Sequence, residues 1–600
     1  MLMRPSTTGG WLRTLLFVVP LIAIVLSACV APAGTAPAAA PAQAEATKAP
    51  AAEAAAPAAN ADPMMTIYGE KLPDDAVPYD EQIDYVGCSN TAAMTAFEFQ
   101  VTVYQRFCPG TDFSDPLTEL DVNFNVVPAA AESWEVSEDG LTWSFHLRPG
   151  QVWSDGTPLT ANDWVATYQY LAQPDHAWDF AWFYNGVIKN WEEVIAGEMK
   201  PEELGVAAPD DLTFQITTQK PFPPMPGMMK FGWTLQAKAL KEHGPLYNTD
   251  LKTAVSSGPW ILESFEPGKQ IVLAANPTYK GYRPPRIKKR IGIYMDPATY
   301  FAAYQKGEIG AVGYEALTPA DLELVLNDPV LKDNYFRTFG DFRTDYLLFD
   351  TFNPPFDNIH VRKAFAHAVD RESIVKNVLT EVKGMPAYAM LMPGFPSSST
   401  KGELNEYQNY DCDLAKKELA EGGFSDPSTF PKQEMWLRNE NAAYQAFFQA
   451  VGASIADCLG IQIEVSNKDC KVYMDALNAK PTGVTLGAIS YGMDYLDPSN
   501  MLGIWLTGGR HSWSNPDFDK LVNEATPLTS DPAKREQMYR DAEKILVDDV
   551  GGVFLDHRWN GMLYQPWLMG DCFRKPDNVG IAGPHWGNDS CESMQYIAKH

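Results

Sequence analysis

The chain lacks the short signatures that mark most chemistry. Its 600 residues contain no HExxH, no GxSxG, no phosphate-cradling glycine loop and no GxGxxG. Gly268-Lys269 comes nearest to a phosphate loop, but it has neither the preceding glycine nor the following Ser or Thr. There is no CxxC and no Cys/His cluster, so structural zinc is not expected. The nine His are scattered, and His146, within an alternating strand pattern, reads as structural. Basic residues are few. Lys+Arg number 47 against 76 Asp+Glu, a formal net charge of -29, which argues against nucleic acid and anionic lipid headgroups as partners. Long apolar runs are few as well: beyond the N-terminus none approaches the length of a membrane-spanning helix. No internal repeat is evident. The many carboxylates leave a glycosidase-like pair open in principle, although nothing marks one. These absences favour binding over chemistry, with no catalytic residue, metal or cofactor expected.

What is present begins at the N-terminus. Arg4 and Arg13 form a positive n-region, and Leu15 to Ala28 is an almost unbroken apolar stretch, too short to span a bilayer. It runs into Leu26-Ser27-Ala28-Cys29, the pattern of a bacterial lipobox, so residues 1–28 read as a lipoprotein signal peptide and Cys29 as the lipidated first residue of the mature protein. From Val30 to about Asp62 the chain is nearly all Ala and Pro with no aromatic residue. Such a stretch buries too little apolar surface to offset its ordering entropy, and residues 29–62 are expected to be a disordered stalk. The membrane contact is then the lipid anchor alone, and the location is the outer face of the cell membrane or the periplasm.

Eight cysteines less Cys29 leave an odd number in an exported protein, where disulfides are the default. Cys88 with Cys108 and Cys572 with Cys591 are the local pairs. Among Cys412, Cys458 and Cys470, a strand read at Ile461 to Ser466 would span about 20 Å at ~3.3 Å per residue, which holds Cys458 and Cys470 apart. On the assumption of a βαβ arrangement, Cys412 is expected near Cys470. Which of the three stays unpaired is left open.

The body alternates short strands and capped helices. Trp143, Phe145 and Leu147 alternate as a half-buried strand closed by Arg148-Pro149-Gly150. Thr160 with Asp163 three residues on starts a helix carrying Trp164, Val165, Tyr168 and Leu171. Leu212, Phe214 and Ile216 form another strand. Val361, Ala364, Phe365, Ala368 and Val369 recur on one helical face, and Asp370 caps the next helix. Asn515-Pro516 and Asp531-Pro532 are cap-plus-proline helix starts. More than 500 residues with this mixture imply an α/β body of two or three lobes with several sheets.

The segment ESWEVSEDGLTWSFHLRPGQVWSDGTPLTANDWVATYQY, Glu132 to Tyr170, resembles the signature of the family 5 extracellular solute-binding proteins, the oligopeptide, dipeptide and nickel receptors of ABC importers. The resemblance continues in order through VIAGE (Val194 to Glu198), GVAAPDDLTFQIT (Gly205 to Thr217), SSGPWIL (Ser256 to Leu262) and NPTYKGYRP (Asn276 to Pro284). It runs on through NPPFDNIHVRKAFAHAVDRESIVKNV (Asn353 to Val378), DYLDPSN (Asp494 to Asn500) and SNPDFDKLVNEA (Ser514 to Ala525). It implies an α/β, two-lobed periplasmic-binding-protein-like fold (class II, cluster C) with an additional small domain. The implied boundaries are 63–108 for the first part of lobe I, 109–218 for the extra domain, 219–346 for the second part of lobe I, 347–553 for lobe II and 554–600 for the C-terminal part of lobe I. It also implies a monomeric receptor, not an enzyme, that encloses a small solute between lobes and docks on ABC permease subunits.

In peptide-binding relatives an aspartate opening the DYxxP segment pairs with the ligand's α-ammonium, and that position here is Asp494. Asp497 reads as a helix cap, with Pro498 at the first helical position. Tyr491 would cover the bound backbone. Departures exist: Cys470 stands where oligopeptide binders carry a tryptophan, and the strand read at Val484 to Ile489 has no arginine for a peptide carboxylate. Relatives of this fold also bind oligosaccharides, and Trp178, Phe180, Trp182, Tyr491, Trp505 and Trp513 are candidate stacking rings. The expected function is capture of a peptide or peptide-like solute for import. An oligosaccharide receptor is the alternative, and an exported hydrolase or surface adhesin on a similar scaffold is the other class.

Overall fold

The strands Thr344–Phe349, Leu486–Tyr491 and Gly552–Arg558 are buried at every position, so their near-continuous apolar sequence has a direct cause: both faces of their sheet are covered. In this computed structural model, which describes residues 62–599 apart from 90–93, 104, 109–112, 339, 380–382, 400, 439, 441 and 573–588, they form the centre of a six-stranded sheet. Its order is Gly384–Pro386, Gly552–Arg558, Thr344–Phe349, Leu486–Tyr491, Gln433–Arg438 and Ile463–Lys468. Period-two alternation sends Tyr346 and Leu348 to one core, and Leu347 and Phe349 to the other. The helices Ile359–His367, Cys412–Glu421 and Ala442–Leu459 cover the second face, while Cys470–Asn478, Pro516–Ala525 and Pro532–Asp548 cover the first.

A second lobe carries a four-stranded sheet in the order Ile83–Ser89, Lys289–Met295, Gln270–Ala275 and Trp260–Glu266. The small domain is an antiparallel sheet of Ala131–Val136, Thr142–Leu147, Thr213–Thr217 and Val206–Asp210. The helix Ala161–Leu171 packs on it, with the Thr160 amide donating to the Asp163 carboxylate (2.9 Å) as the capping pattern expects. Trp164 is fully buried and donates to the Gly232 carbonyl at 2.7 Å. Asn515 and Asp531 cap their helices through backbone amides, again as their sequence implies.

The lobes are joined by a ribbon of two chain segments. Tyr335–Thr338 pairs antiparallel with Asn560–Tyr564, and a few residues on Thr344–Phe349 pairs antiparallel with Gly552–Arg558. Between the two pairings the first segment has more residues than the second, with Phe342 at a left-handed φ of 50°. At this crossing Arg558 clasps the Asp345 carboxylate with both Nε (2.6 Å) and Nη2 (2.7 Å). Its guanidinium also lies 3.6 Å from the centroid of the Tyr444 ring.

Disulfides join Cys88 to Cys108, Cys412 to Cys458 and Cys572 to Cys591, and Cys470 is an exposed thiol. The expected Cys412–Cys470 pairing is therefore corrected. Gln433–Arg438, Ala442–Leu459 and Ile463–Lys468 do form a parallel βαβ unit, but its crossover helix shares a sheet face with the helix that Cys412 begins. Cys470 begins a helix on the opposite face. The strands also start about two residues later than read from sequence, at Ile463 and Leu486. The signal peptide, Cys29 and the stalk up to residue 61 lie outside the described residues. Among the described residues no helix is long and apolar enough to cross a membrane.

Two predictions follow from this packing. Alkylation of the unfolded, unreduced mature protein should modify Cys470 alone among the body cysteines, as peptide mapping would read. Modification of Cys458 without reduction would contradict the structure.

The second concerns Glu543, which is 1% exposed on Pro532–Asp548 and accepts from the Leu391 amide at 2.7 Å. Burial pushes its carboxyl up to about 8 from an ordinary 4.5. Between those values the folded chain keeps a proton that the unfolded chain has released. The group therefore costs nothing in acid and erodes stability as pH rises, by about 3 kcal/mol at pH 7. Glu543→Gln should raise the melting temperature clearly at pH 8 and hardly at pH 5. Equal shifts at both pH values would contradict the assignment.

Candidate ligand site

The strand Leu486–Tyr491 delivers Tyr491 to one end of the six-stranded sheet, and the chain then turns through Gly492 and Met493 to Asp494. The turn is tightly specified. The Met493 amide donates to the Asp341 carbonyl (2.6 Å), and a side chain at Gly492 would overlap the Asp341 carboxylate. Asp497 and Pro498 start the helix Pro498–Gly503, with the Asp497 carboxylate accepting from the Ser499 amide. Arg535 also clasps Asp497 through both its oxygens, at 2.9 and 2.8 Å. Asp497 is thus engaged in structure.

Asp494 is engaged on one side only. Its Oδ2 accepts from the Tyr491 hydroxyl at 2.5 Å and from Asn500 Nδ2 at 3.2 Å, while its amide donates to Asn500 Oδ1 at 2.8 Å. Its Oδ1 has no hydrogen bond among the described residues and is not sealed from solvent, since the side chain is half-buried. The arrangement fixes the carboxylate's orientation and leaves one oxygen to receive a donor. Enclosure by protein raises its pKa, against the hydrogen bonds of Tyr491 and Asn500 and the charges of Lys230 and Arg510, which favour the anion. Burial and the Asp494 charge push the Tyr491 hydroxyl well up, so it stays a donor.

The opposing surface comes from the small domain and the segment after it. Tyr495 packs edge-on to Phe183 (6.3 Å between centroids) and Phe222 (5.8 Å), and so belongs to the small domain's core although its chain belongs to the other lobe. Lys230, 3% exposed, holds its ammonium 5.0 Å from the Phe231 ring centroid. Trp182, 37% exposed, stands beside Phe180 at 4.8 Å.

The structure brings Asp494, Tyr491 and Trp182 into one neighbourhood, linked by Arg510, whose guanidinium lies 5.0 Å from the Trp182 ring and 5.3 Å from Tyr491. It does not bring the other rings. Trp505 and Trp513 are 0% and 1% exposed inside the six-stranded lobe, where Trp505 packs on Tyr346 and His511, and Trp513 donates to Asp549 at 2.6 Å. They are core residues, a correction to their reading as ligand platforms. Phe180 and Trp178 are likewise buried among Phe99, Phe183 and Tyr184, so Phe180 is a support for Trp182 and not a contact surface.

Sequence reading missed Asn500, Lys230 and Arg510. Each left a signal: a polar residue in the first turn after Asp497-Pro498, a lone cation inside the apolar run Met225 to Phe231, and a cation directly after Gly508-Gly509. A metal-capable group exists elsewhere. His360, Glu418 and Glu421 place ligand atoms within 4.8 Å of one another on Ile359–His367 and Cys412–Glu421. A cavity of about 450 Å³ lined by Tyr170, His176, Leu240 and Pro245 lies within the first lobe and small domain and contains none of the site residues.

Two lobes joined by a paired-strand crossing, with a fixed, half-satisfied carboxylate between them, define a hinged solute-binding protein. Residues 125–513 match the family model described as bacterial extracellular solute-binding proteins, family 5 Middle, and the chain belongs to that family. It is 29% identical over 498 residues to the periplasmic oligopeptide-binding protein OppA of Salmonella typhimurium, covering 78% of this chain and 86% of that one. It is 28% identical over 479 residues to the probable deoxycholate-binding periplasmic protein YgiS of Escherichia coli, with the same coverage. The fold matches the solved structure of the Escherichia coli murein tripeptide binding protein MppA, with a TM-score of 0.70, 23% identity and coverage of 86% of this chain and 99% of that one.

Proposed function

We propose that this protein is the substrate-binding lipoprotein of an ABC importer, capturing a peptide or peptide-like solute between its lobes and delivering it to a membrane permease. The observation that carries the reading is Asp494 Oδ1, an open acceptor on a carboxylate whose other oxygen is already held by Tyr491 and Asn500. A buried ammonium needs a charged acceptor of fixed geometry, and this is one. The relatives' names support a peptide, although one of them names deoxycholate. An oligosaccharide would depend on exposed ring faces, and of the candidate rings Trp182 alone offers one. We assign residues 63–108, 219–346 and 554–600 to lobe I, 109–218 to the small domain and 347–553 to lobe II. The sheets and cores support this partition.

Asp494→Asn keeps the hydrogen bonds and removes the charge. Loss of a buried ammonium's partner costs about 3–5 kcal/mol, a factor of hundreds or more in affinity. Calorimetry with the solute recovered from the denatured native protein should show that loss, with thermal unfolding little changed. Equal affinities would remove Asp494 from the site and favour the oligosaccharide.

The tether is a separate part of the proposal, supported by the positive n-region, the short apolar core and Cys29. Cys29→Ala should abolish lipid labelling and release the protein from membranes. Unchanged membrane retention of the variant would refute the anchor.

A further inference from the structure

We propose that Arg510 is a positioning residue that latches the small domain to the six-stranded lobe and thereby sets how long a captured solute is retained. The guanidinium lies between the Trp182 ring, at 5.0 Å, and the Tyr491 ring, at 5.3 Å. Trp182 belongs to the small domain, and Tyr491 ends a central strand of the other lobe. The contact to Tyr491 lies within one lobe; the contact to Trp182 crosses the cleft.

The anchor beneath Arg510 is rigid. Its neighbour His511 is 2% exposed, shares a hydrogen bond with the Tyr346 hydroxyl at 3.0 Å and packs on Trp505 at 4.2 Å. The next carbonyl, of Ser512, accepts from the Thr351 amide at 2.9 Å and the Thr351 hydroxyl at 2.8 Å. On the other side the Gly509 carbonyl accepts from Lys480 at 2.7 Å. A long side chain on a fixed base therefore reaches across to a ring that is itself braced by Phe180 and Phe183. The ring of Trp182 is the exposed member of an otherwise buried aromatic cluster, which gives the cation a face to occupy.

A planar guanidinium stacks on aromatic faces in a way an ammonium does not. Because the Trp182 contact exists only when the lobes meet, its free energy adds to the closed form alone and shifts the closure equilibrium by its full amount. Two partly exposed contacts of this kind are together worth about tenfold in that equilibrium. The same contact slows reopening, so its loss appears in the dissociation rate more than in the association rate. The closure claim stands on the geometry alone, and the retention claim rests on the solute-capture reading above.

The test reads closure without any solute. Spin labels are placed on Cys470 and on an introduced Glu198→Cys, an exposed position of the small domain, in mature protein stripped of solute by guanidinium treatment with its disulfides intact. Electron–electron distance distributions should show a short-distance closed population in the parent. Arg510→Ala should lower the closed-to-open ratio about tenfold, Arg510→Lys should lower it less, and Trp182→Leu should reproduce part of the Arg510→Ala loss. Each variant should keep a parent-like unfolding midpoint. A parent with no closed population, or an Arg510→Ala ratio within about twofold of the parent, would overturn the proposal. Because no solute is added, these results are independent of the Asp494 calorimetry.

Discussion

The ion pair of Arg558 with Asp345 is the constraint on which the rest of the molecule depends. Two chain segments pass side by side from one lobe to the other, and the pair ties them together where the pairing is interrupted. Both partners are buried, so neither can be removed without leaving a charge in low dielectric, a loss of about 3–5 kcal/mol. A bidentate guanidinium also fixes direction, which a single point charge does not. The pair pins Thr344–Phe349 against Gly552–Arg558, and Thr344–Phe349 in turn holds Leu486–Tyr491 in register. The position of Asp494, a few residues beyond that strand, is thus set from the crossing outward. The longer segment opposite Trp559 gives the crossing its capacity to bend without breaking the paired strands on either side.

Charge in the site is divided between neighbours with different duties. Asp497 caps a helix and is clasped by Arg535, while Asp494 is held by one oxygen and open at the other. Two aspartates three residues apart therefore have separate environments and separate roles. Lys230 and Arg510 keep the Asp494 carboxylate anionic against the penalty of enclosure. They also set a requirement on the solute, since an ammonium bound at Oδ1 shares its carboxylate's field with two cations. A solute carrying an anionic group within reach of those cations satisfies both signs at once.

Much of the local structure was legible in the chain. The alternation of Trp143, Phe145 and Leu147, the Thr160–Asp163 cap and the proline-started helices at Asn515 and Asp531 depend on neighbours in sequence, and each stands where its pattern placed it. Asp494 and Asp497 could be told apart because cap-plus-proline is itself a local signal. The face of the sheet on which a helix lies is not local. That single unknown reversed the choice between Cys458 and Cys470 as partner for Cys412. Aromatic rings were opaque for the same reason: Trp505 and Trp513 fill a core made by residues from Tyr346 to Phe554, and nothing beside them in sequence announces it. Arg510 drew no notice because its partners lie far away in the chain, at Trp182 and Tyr491.

The distribution of aromatic surface bears on what kind of solute the cleft suits. The small domain is built around an unusually ring-rich core, in which Phe99, Trp178, Phe180, Phe183 and Phe231 meet edge-to-face or stacked and exclude water. Rings so engaged have no free face to offer a sugar, and their contribution is to stiffness. Trp182 projects from that rigid block, and its face is occupied by a guanidinium from the other lobe. Stacking is thus largely spent on joining the protein to itself. What the cleft retains for a solute is a fixed carboxylate oxygen flanked by cations, a polar and directional pattern that suits the charged ends of a peptide better than the neutral faces of a carbohydrate.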